Sequence, residues 1–144
     1  MAQQAVITLE SGGEITIEFF PGDAPKTVEN FVTLAKQGFY NGLAFHRVVP
    51  GFVVQGGDPK GNGTGGPGYT IKAEFNSRRH VRGSVAMARS QHPDSAGSQF
   101  YITYGAQPHL DGSYTVFGQV TSGMEHVDRI KQGDRMRTVT VSEA

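Results

Sequence analysis

Short segments in which apolar and polar residues alternate, each cut off by glycine, leave this chain few architectures to adopt. Ile15, Ile17 and Phe19 alternate with Thr16 and Glu18, and residues 6–10 before them are joined through Ser11-Gly12-Gly13. A period of two puts the apolar side chains on one face of a strand, and the glycine link predicts a hairpin. The alternation returns at 138–142, where Val139 and Val141 interleave with Thr138, Thr140 and Ser142. Strands are expected near both ends, with others at 45–49, 52–55, 83–88, 99–103 and 115–120.

Only two segments carry a helical period. Val28, Phe31, Val32 and Ala35 share one face behind Pro25, a residue suited to a first turn, and Gly38 marks the end. Met124, Val127 and Ile130 recur at threes, with Lys131 near the end and Gly133 in a capping place. The 20 glycines and 7 prolines mark frequent turns without a compositional break, so one domain over residues 1–144 is expected. Many short strands with two one-sided helices imply a sandwich or a closed barrel, in which the helices cover openings or faces of the sheet.

Thirteen basic residues balance thirteen acidic ones, so no net field directs the chain to nucleic acid or to an anionic membrane. The absence of cysteine removes disulfides, thiolate metal sites and cysteine nucleophiles together, and suits a reducing compartment. Residues 1–8 show neither a basic nor an apolar leader pattern, and no later run approaches the length of a membrane span. Cytoplasmic residence and a monomer are the expectations. His46, His80, His92, His109 and His126 form no pair at helical metal spacing, so no metal site is expected. Ser98 lies in Gly-Ser-Gln, outside a nucleophile elbow, and the glycine-rich stretch 61–68 lacks the ending of a phosphate loop.

The segment Phe45-His46-Arg47-Val48-Val49-Pro50-Gly51-Phe52-Val53-Val54-Gln55-Gly56-Gly57-Asp58 resembles the signature of the cyclophilin family. Asn62-Gly63-Thr64-Gly65-Gly66, Gly97-Ser98-Gln99-Phe100-Tyr101-Ile102, Leu110-Asp111-Gly112 and Val116-Phe117-Gly118 follow in the family's order. With Pro25-Lys26-Thr27-Val28-Glu29-Asn30-Phe31, the resemblance covers nearly the whole chain. It implies an all-β fold, a closed eight-stranded antiparallel β-barrel capped by two α-helices. It also implies a peptidyl-prolyl cis/trans isomerase that assists protein folding, needs no cofactor, and takes as partners proline-containing peptides and unfolded or folding proteins. By the same resemblance Arg47 is the catalytic residue, and Phe52, Val53, Gln55, Ala88, Arg89, Gln99, Tyr101, His109, Leu110 and Tyr114 line the substrate site.

Those residue types suit that chemistry. Resonance planarises the amide and sets a rotation barrier of about 18–20 kcal/mol. At the twisted transition state the prolyl nitrogen recovers a lone pair, so an aimed donor binds that state better than either planar ground state. The Arg47 guanidinium is permanently charged and offers several donors in one plane. Phe52, Val53, Tyr101 and Leu110 supply an apolar pocket that anchors one side of the rotating bond, while Gln55 and Gln99 offer amides that donate and accept. Near Ala88 and Arg89 an extended substrate could pair as an added strand. No proton is transferred and no covalent bond forms, so activity should be nearly flat across neutral pH and indifferent to chelators.

Taken singly, these residues have plainer readings. An isolated Arg47 would be a surface or ion-paired arginine, and Phe52, Val53, Tyr101 and Leu110 would be core. Phe100, on the opposite face of its strand from Tyr101, is expected in the core. A catalytically idle binding module and a barrel-shaped ligand carrier are the rival functions, the second requiring a large internal cavity. Three positions depart from the best-known eukaryotic members. His109 stands where they carry tryptophan, which implies reduced affinity for cyclosporin. Tyr114 replaces a histidine, and Tyr101 replaces a phenylalanine, adding a hydroxyl that narrows or polarises the proline pocket. The loop Arg89-Ser90-Gln91-His92-Pro93-Asp94-Ser95-Ala96 is one residue longer than in the animal enzymes and resembles the bacterial form.

Overall fold

Each alternating segment becomes a strand in the computed structural model, which describes residues 3–143. The reading of the amino terminus as leaderless rests partly on Met1 and Ala2, which lie outside the described residues, as does Ala144. In chain order the strands are β1 Gln3–Leu9, β2 Glu14–Phe19, β3 Arg47–Val49, β4 Val53–Gly56, β5 Ser84–Met87, β6 Phe100–Thr103, β7 Val116–Ser122 and β8 Met136–Glu143. Helix α1 spans Pro25–Lys36 and α2 spans Met124–Val127. The strands form one antiparallel sheet in the order β3-β4-β6-β5-β7-β2-β1-β8.

The ladder does not close, which corrects the expectation of a closed barrel. β3 and β8 are the two edges of an open half-barrel. The segment before β3 meets the start of β8 and the turn leading into it, where Ala44 bridges Arg135, Phe45 N–H bonds Asp134 O at 2.8 Å, and Met136 N–H bonds Leu43 O at 2.9 Å. The cause lies in β3. It has three residues, and Pro50, which has no N–H, turns the chain back before a ladder can run along the eight residues of β8.

Helix α1 buries the face expected of it, with Val28, Phe31, Val32 and Ala35 all inside. Pro25 starts the helix, and its free N–H groups are capped from a distance by Glu74, which accepts from Lys26 N at 3.2 Å and Thr27 N at 2.7 Å. Helix α2 is shorter than the 124–130 period suggests. After Val127 the chain tightens into three-residue bonds, Arg129 N–H to His126 O and Ile130 N–H to Val127 O, and Ile130 is still buried.

The concave side of the sheet is filled by side chains. Phe31 of α1 meets Phe100 edge-on and Phe117 obliquely, each at 5.5 Å between centroids, and Phe19, Tyr40 and Phe45 complete the cluster. Phe100 is fully buried there, as its strand parity requires. A carrier's cavity has no room in an interior so occupied.

Candidate active site

The period of two that sends Val54, Phe100, Ile102, Val85 and Met87 inward sends their neighbours to the convex face. The register pairs Arg47 with Gln55, Gln55 with Tyr101, and Tyr101 with Ala86, so these four form one row across β3, β4, β6 and β5. Directly paired residues project from the same side of a sheet, and a one-residue slip would send the whole row inside. Ala86 and Tyr101 of the row join Val53 and Val116 in a small buried cluster separate from the main core, with Phe20, Phe52, Ala88, Leu110 and Tyr114 packed against it.

Local turns deliver the remaining walls. Phe52 N–H bonds Val49 O at 3.0 Å across Pro50 and Gly51, whose φ is 75°. Proline second and a left-handed glycine third is what a type II turn demands, and it sets Phe52 at the head of β4. A 3-10 turn over Pro108–Leu110 brings in Leu110 and His109, and His109 stacks on Phe52 with centroids 5.6 Å apart. Arg89 donates to Ser113 O at 2.8 Å and to Ser90 O at 2.9 Å, and its guanidinium carbon lies 4.7 Å from the centre of the Tyr114 ring.

These parts enclose a cavity of about 110 Å³ lined by Arg47, Phe52, Val53, Gln55, Ala88, Arg89, Tyr101, Leu110 and Tyr114. Of the residues expected at the site, His109 stands at the rim on Phe52, and Gln99 lines a neighbouring depression of about 330 Å³. The two hollows share Gln55, Ala88 and Arg89 as a common wall. Ala88 gives its own N–H to Gln99 O at 3.0 Å.

The polar side of the cavity is a chain of amides. Arg47 Nη1 donates to Gln55 Oε1 at 3.3 Å, Gln55 Nε2 donates to Gln99 Oε1 at 2.9 Å, and Gln99 Nε2 donates to the carbonyls of Gly63 and Gly65 at 3.0 Å each. Those carbonyls belong to a loop wound around the buried carboxylate of Asp58, which accepts N–H bonds from Lys60 and Asn62 at 2.8 and 3.0 Å, and another from Gly63. Burial alone would raise the Asp58 pKa, but the N–H groups of Lys60, Gly63, Gly65 and Asn62 together hold it below the usual carboxylate range. Burial lowers the pKa of His46, the Asp58 carboxylate opposes that, and the Arg47 charge adds to it.

Sequence reasoning missed His80. It is buried behind Tyr101, with Nε2 2.7 Å from the Tyr101 hydroxyl and Nδ1 2.9 Å from Asp111 Oδ1. The Tyr101 hydroxyl is therefore turned away from the cavity, which corrects the expectation that it narrows or polarises the pocket. Its parity beside Phe100 could have placed the ring, but no local signal announces a partner 21 residues away.

A family model described as cyclophilin type peptidyl-prolyl cis-trans isomerase/CLD matches residues 5–144. The chain belongs to the cyclophilin-type peptidyl-prolyl cis/trans isomerases. Among relatives, it is 54% identical to peptidyl-prolyl cis-trans isomerase B of Bacillus subtilis, over 92% of this chain and 94% of that one. It is 52% identical to a peptidyl-prolyl cis-trans isomerase of Helicobacter pylori, over 100% and 91%. A crystal structure of a cyclophilin-type isomerase from Cryptosporidium parvum superposes with a TM-score of 0.92 at 30% identity, covering 100% of this chain and 99% of that one. The same protein in the presence of the dipeptide Ala-Pro superposes at 0.89 and 30% identity, covering 98% and 99%. In this cyclophilin the donor, the apolar cavity and the amide chain described above share one convex face of the sheet.

Proposed function

We propose that this cyclophilin isomerises X-Pro bonds in the small cavity beneath Arg47, with the proline ring held by Phe52, Val53, Tyr101 and Leu110. The observation that carries this reading is the cross-strand row, which fixes Arg47 and Tyr101 on either side of Gln55. The ring anchors one side of the bond, and Arg47 donates to the prolyl carbonyl and to the nitrogen lone pair that appears as the bond twists. Residues before the proline lie toward the larger depression, where Gln55, Gln99, Ala88 and Arg89 offer polar contacts.

Clients are unfolded or folding polypeptides and proline-containing peptides, since a pocket this small reads little beyond the proline itself. The Ala-Pro dipeptide used with the Cryptosporidium relative is a ligand of that kind. With no cysteine and balanced charge, the chain suits action as a monomer in the cytoplasm, without a metal or cofactor and without nucleic acid or membrane as partner. His109, standing beside Phe52 where an indole would be larger, supports weak binding of cyclosporin.

Titration of the labelled protein with Ala-Pro dipeptide, followed by NMR, tests the location. Amide and side-chain shifts should concentrate at Arg47, Phe52, Gln55, Tyr101 and Leu110. Shifts confined to the Leu9, Arg129 and Asp134 depression on another part of the surface would contradict it.

A further inference from the structure

The catalytic scheme leaves one buried titratable side chain unused. The His80 side chain is 0% exposed and lies behind Tyr101 with the two rings 9° from parallel. Its backbone N–H and its Nδ1 both reach Asp111 Oδ1, at 2.7 and 2.9 Å, while Nε2 reaches the Tyr101 hydroxyl. Chemistry fixes the direction of each bond. The backbone and side-chain bonds from His80 hold the Asp111 carboxyl below the usual range, so it is a carboxylate and only accepts. Nδ1 therefore donates to Asp111; in the neutral imidazole Nε2 then presents its lone pair, and the Tyr101 hydroxyl, kept protonated by burial, donates to it.

We infer that His80 is a positioning residue for proline binding: it holds the Tyr101 ring from behind by its hydroxyl and ties that ring to the Leu110 side of the pocket through Asp111. Tyr101 stands on β6, whereas Asp111 directly follows Leu110. One imidazole thus sets the gap between two walls that are distant in sequence. It also withdraws the hydroxyl, so the ligand meets an apolar ring face. Without the acceptor, the hydroxyl must find another partner, by movement of the ring or by water drawn into the pocket. Either change weakens the hold on the proline ring equally in the ground and transition states, which raises KM and spares kcat. Backbone ties of the loop remain in any side-chain variant, since His80 N–H bonds Asp111 and Gln107 N–H bonds His80 O at 3.0 Å.

The test compares native protein, His80→Leu, Tyr101→Phe and the double variant, each folded to the same circular-dichroism spectrum, with kcat and KM measured on a short Ala-Pro peptide. Leucine is close to histidine in size and can neither accept nor donate. One lost neutral hydrogen bond corresponds to roughly five- to tenfold. His80→Leu should raise KM by about that factor with kcat within about twofold, and in the Tyr101→Phe background the same change should move KM by less than about twofold. An equal rise in both backgrounds, or a loss of thermal stability with unchanged KM, would make His80 a structural residue only and overturn the inference. Should His80→Leu not fold, ring-nitrogen NMR of the native protein still decides. A protonated Nδ1 and a hydrogen-bonded, unprotonated Nε2 are expected, and the opposite tautomer would overturn it. The inference rests on the isomerase reading, whose failure shows separately as an inactive native protein; peptide dissociation constants then replace KM in the same comparison.

Discussion

Replacing Gln99 with leucine breaks the middle of the amide chain while keeping a side chain of similar size. Three side-chain bonds disappear, one from Gln55 Nε2 at 2.9 Å and two to the carbonyls of Gly63 and Gly65 at 3.0 Å. Gln55 is then free to turn, and its Oε1 no longer meets Arg47 Nη1 at a fixed place. A neutral hydrogen bond contributes about 0.5–1.5 kcal/mol net, and partners that can rehydrate fall at the low end, so three give about 1.5 kcal/mol. That corresponds to about tenfold, and because two of the bonds hold the loop and not the arginine, kcat/KM should fall by roughly three- to tenfold. Cis-to-trans exchange of an Ala-Pro peptide measures it. Activity within about 1.5-fold of native would show that the amide chain does not orient Arg47, and a loss of about 10² or more would assign Gln99 a direct part in the transition state.

Two further substitutions test the frame around the groove. Asp58→Asn replaces a charged acceptor of several N–H groups and should destabilise the protein by about 1.5–3 kcal/mol near neutral pH. Because the folded-state pKa of Asp58 is depressed, its contribution is present above about pH 4 and is lost as pH falls through the lower folded value. Urea denaturation of both proteins should therefore converge in acid, and a constant gap would contradict the role given to this carboxylate. Gly57→Ala meets a φ of 94° and would put a Cβ 2.5 Å from Ser98 O, so thermal unfolding should show a loss of about 2–4 kcal/mol. An unchanged midpoint would show that the backbone there relaxes freely.

The strands were legible because alternation is local. Val54 and Gln55, or Phe100 and Tyr101, declare opposite faces within two residues, and that parity is what separates core from groove. The continuous 45–58 motif made Arg47, Phe52 and Gln55 legible together. Contacts across long stretches of chain were not. The cap on α1 comes from Glu74, 47 residues from Thr27, and the Asp111 bond to His80 spans 31. The open edge between β3 and β8 depends on how few residues precede Pro50, a matter of length that hydrophobic pattern does not report. Neither does the shift of α2 into three-residue turns after Val127, since Met124, Val127 and Ile130 keep the same spacing in both forms.

The most direct test of the account is cis-to-trans exchange of a short Ala-Pro peptide with native protein and with Arg47→Ala at equal folded fraction. Arg47 is exposed on β3 and outside both hydrophobic clusters, so its truncation should leave the fold intact. If a preorganised donor contributes about 3–4 kcal/mol at the transition state, the variant should lose about 10²–10³ in kcat/KM while still binding peptide. A variant that isomerises within about fivefold of native would remove Arg47 from the centre of the mechanism.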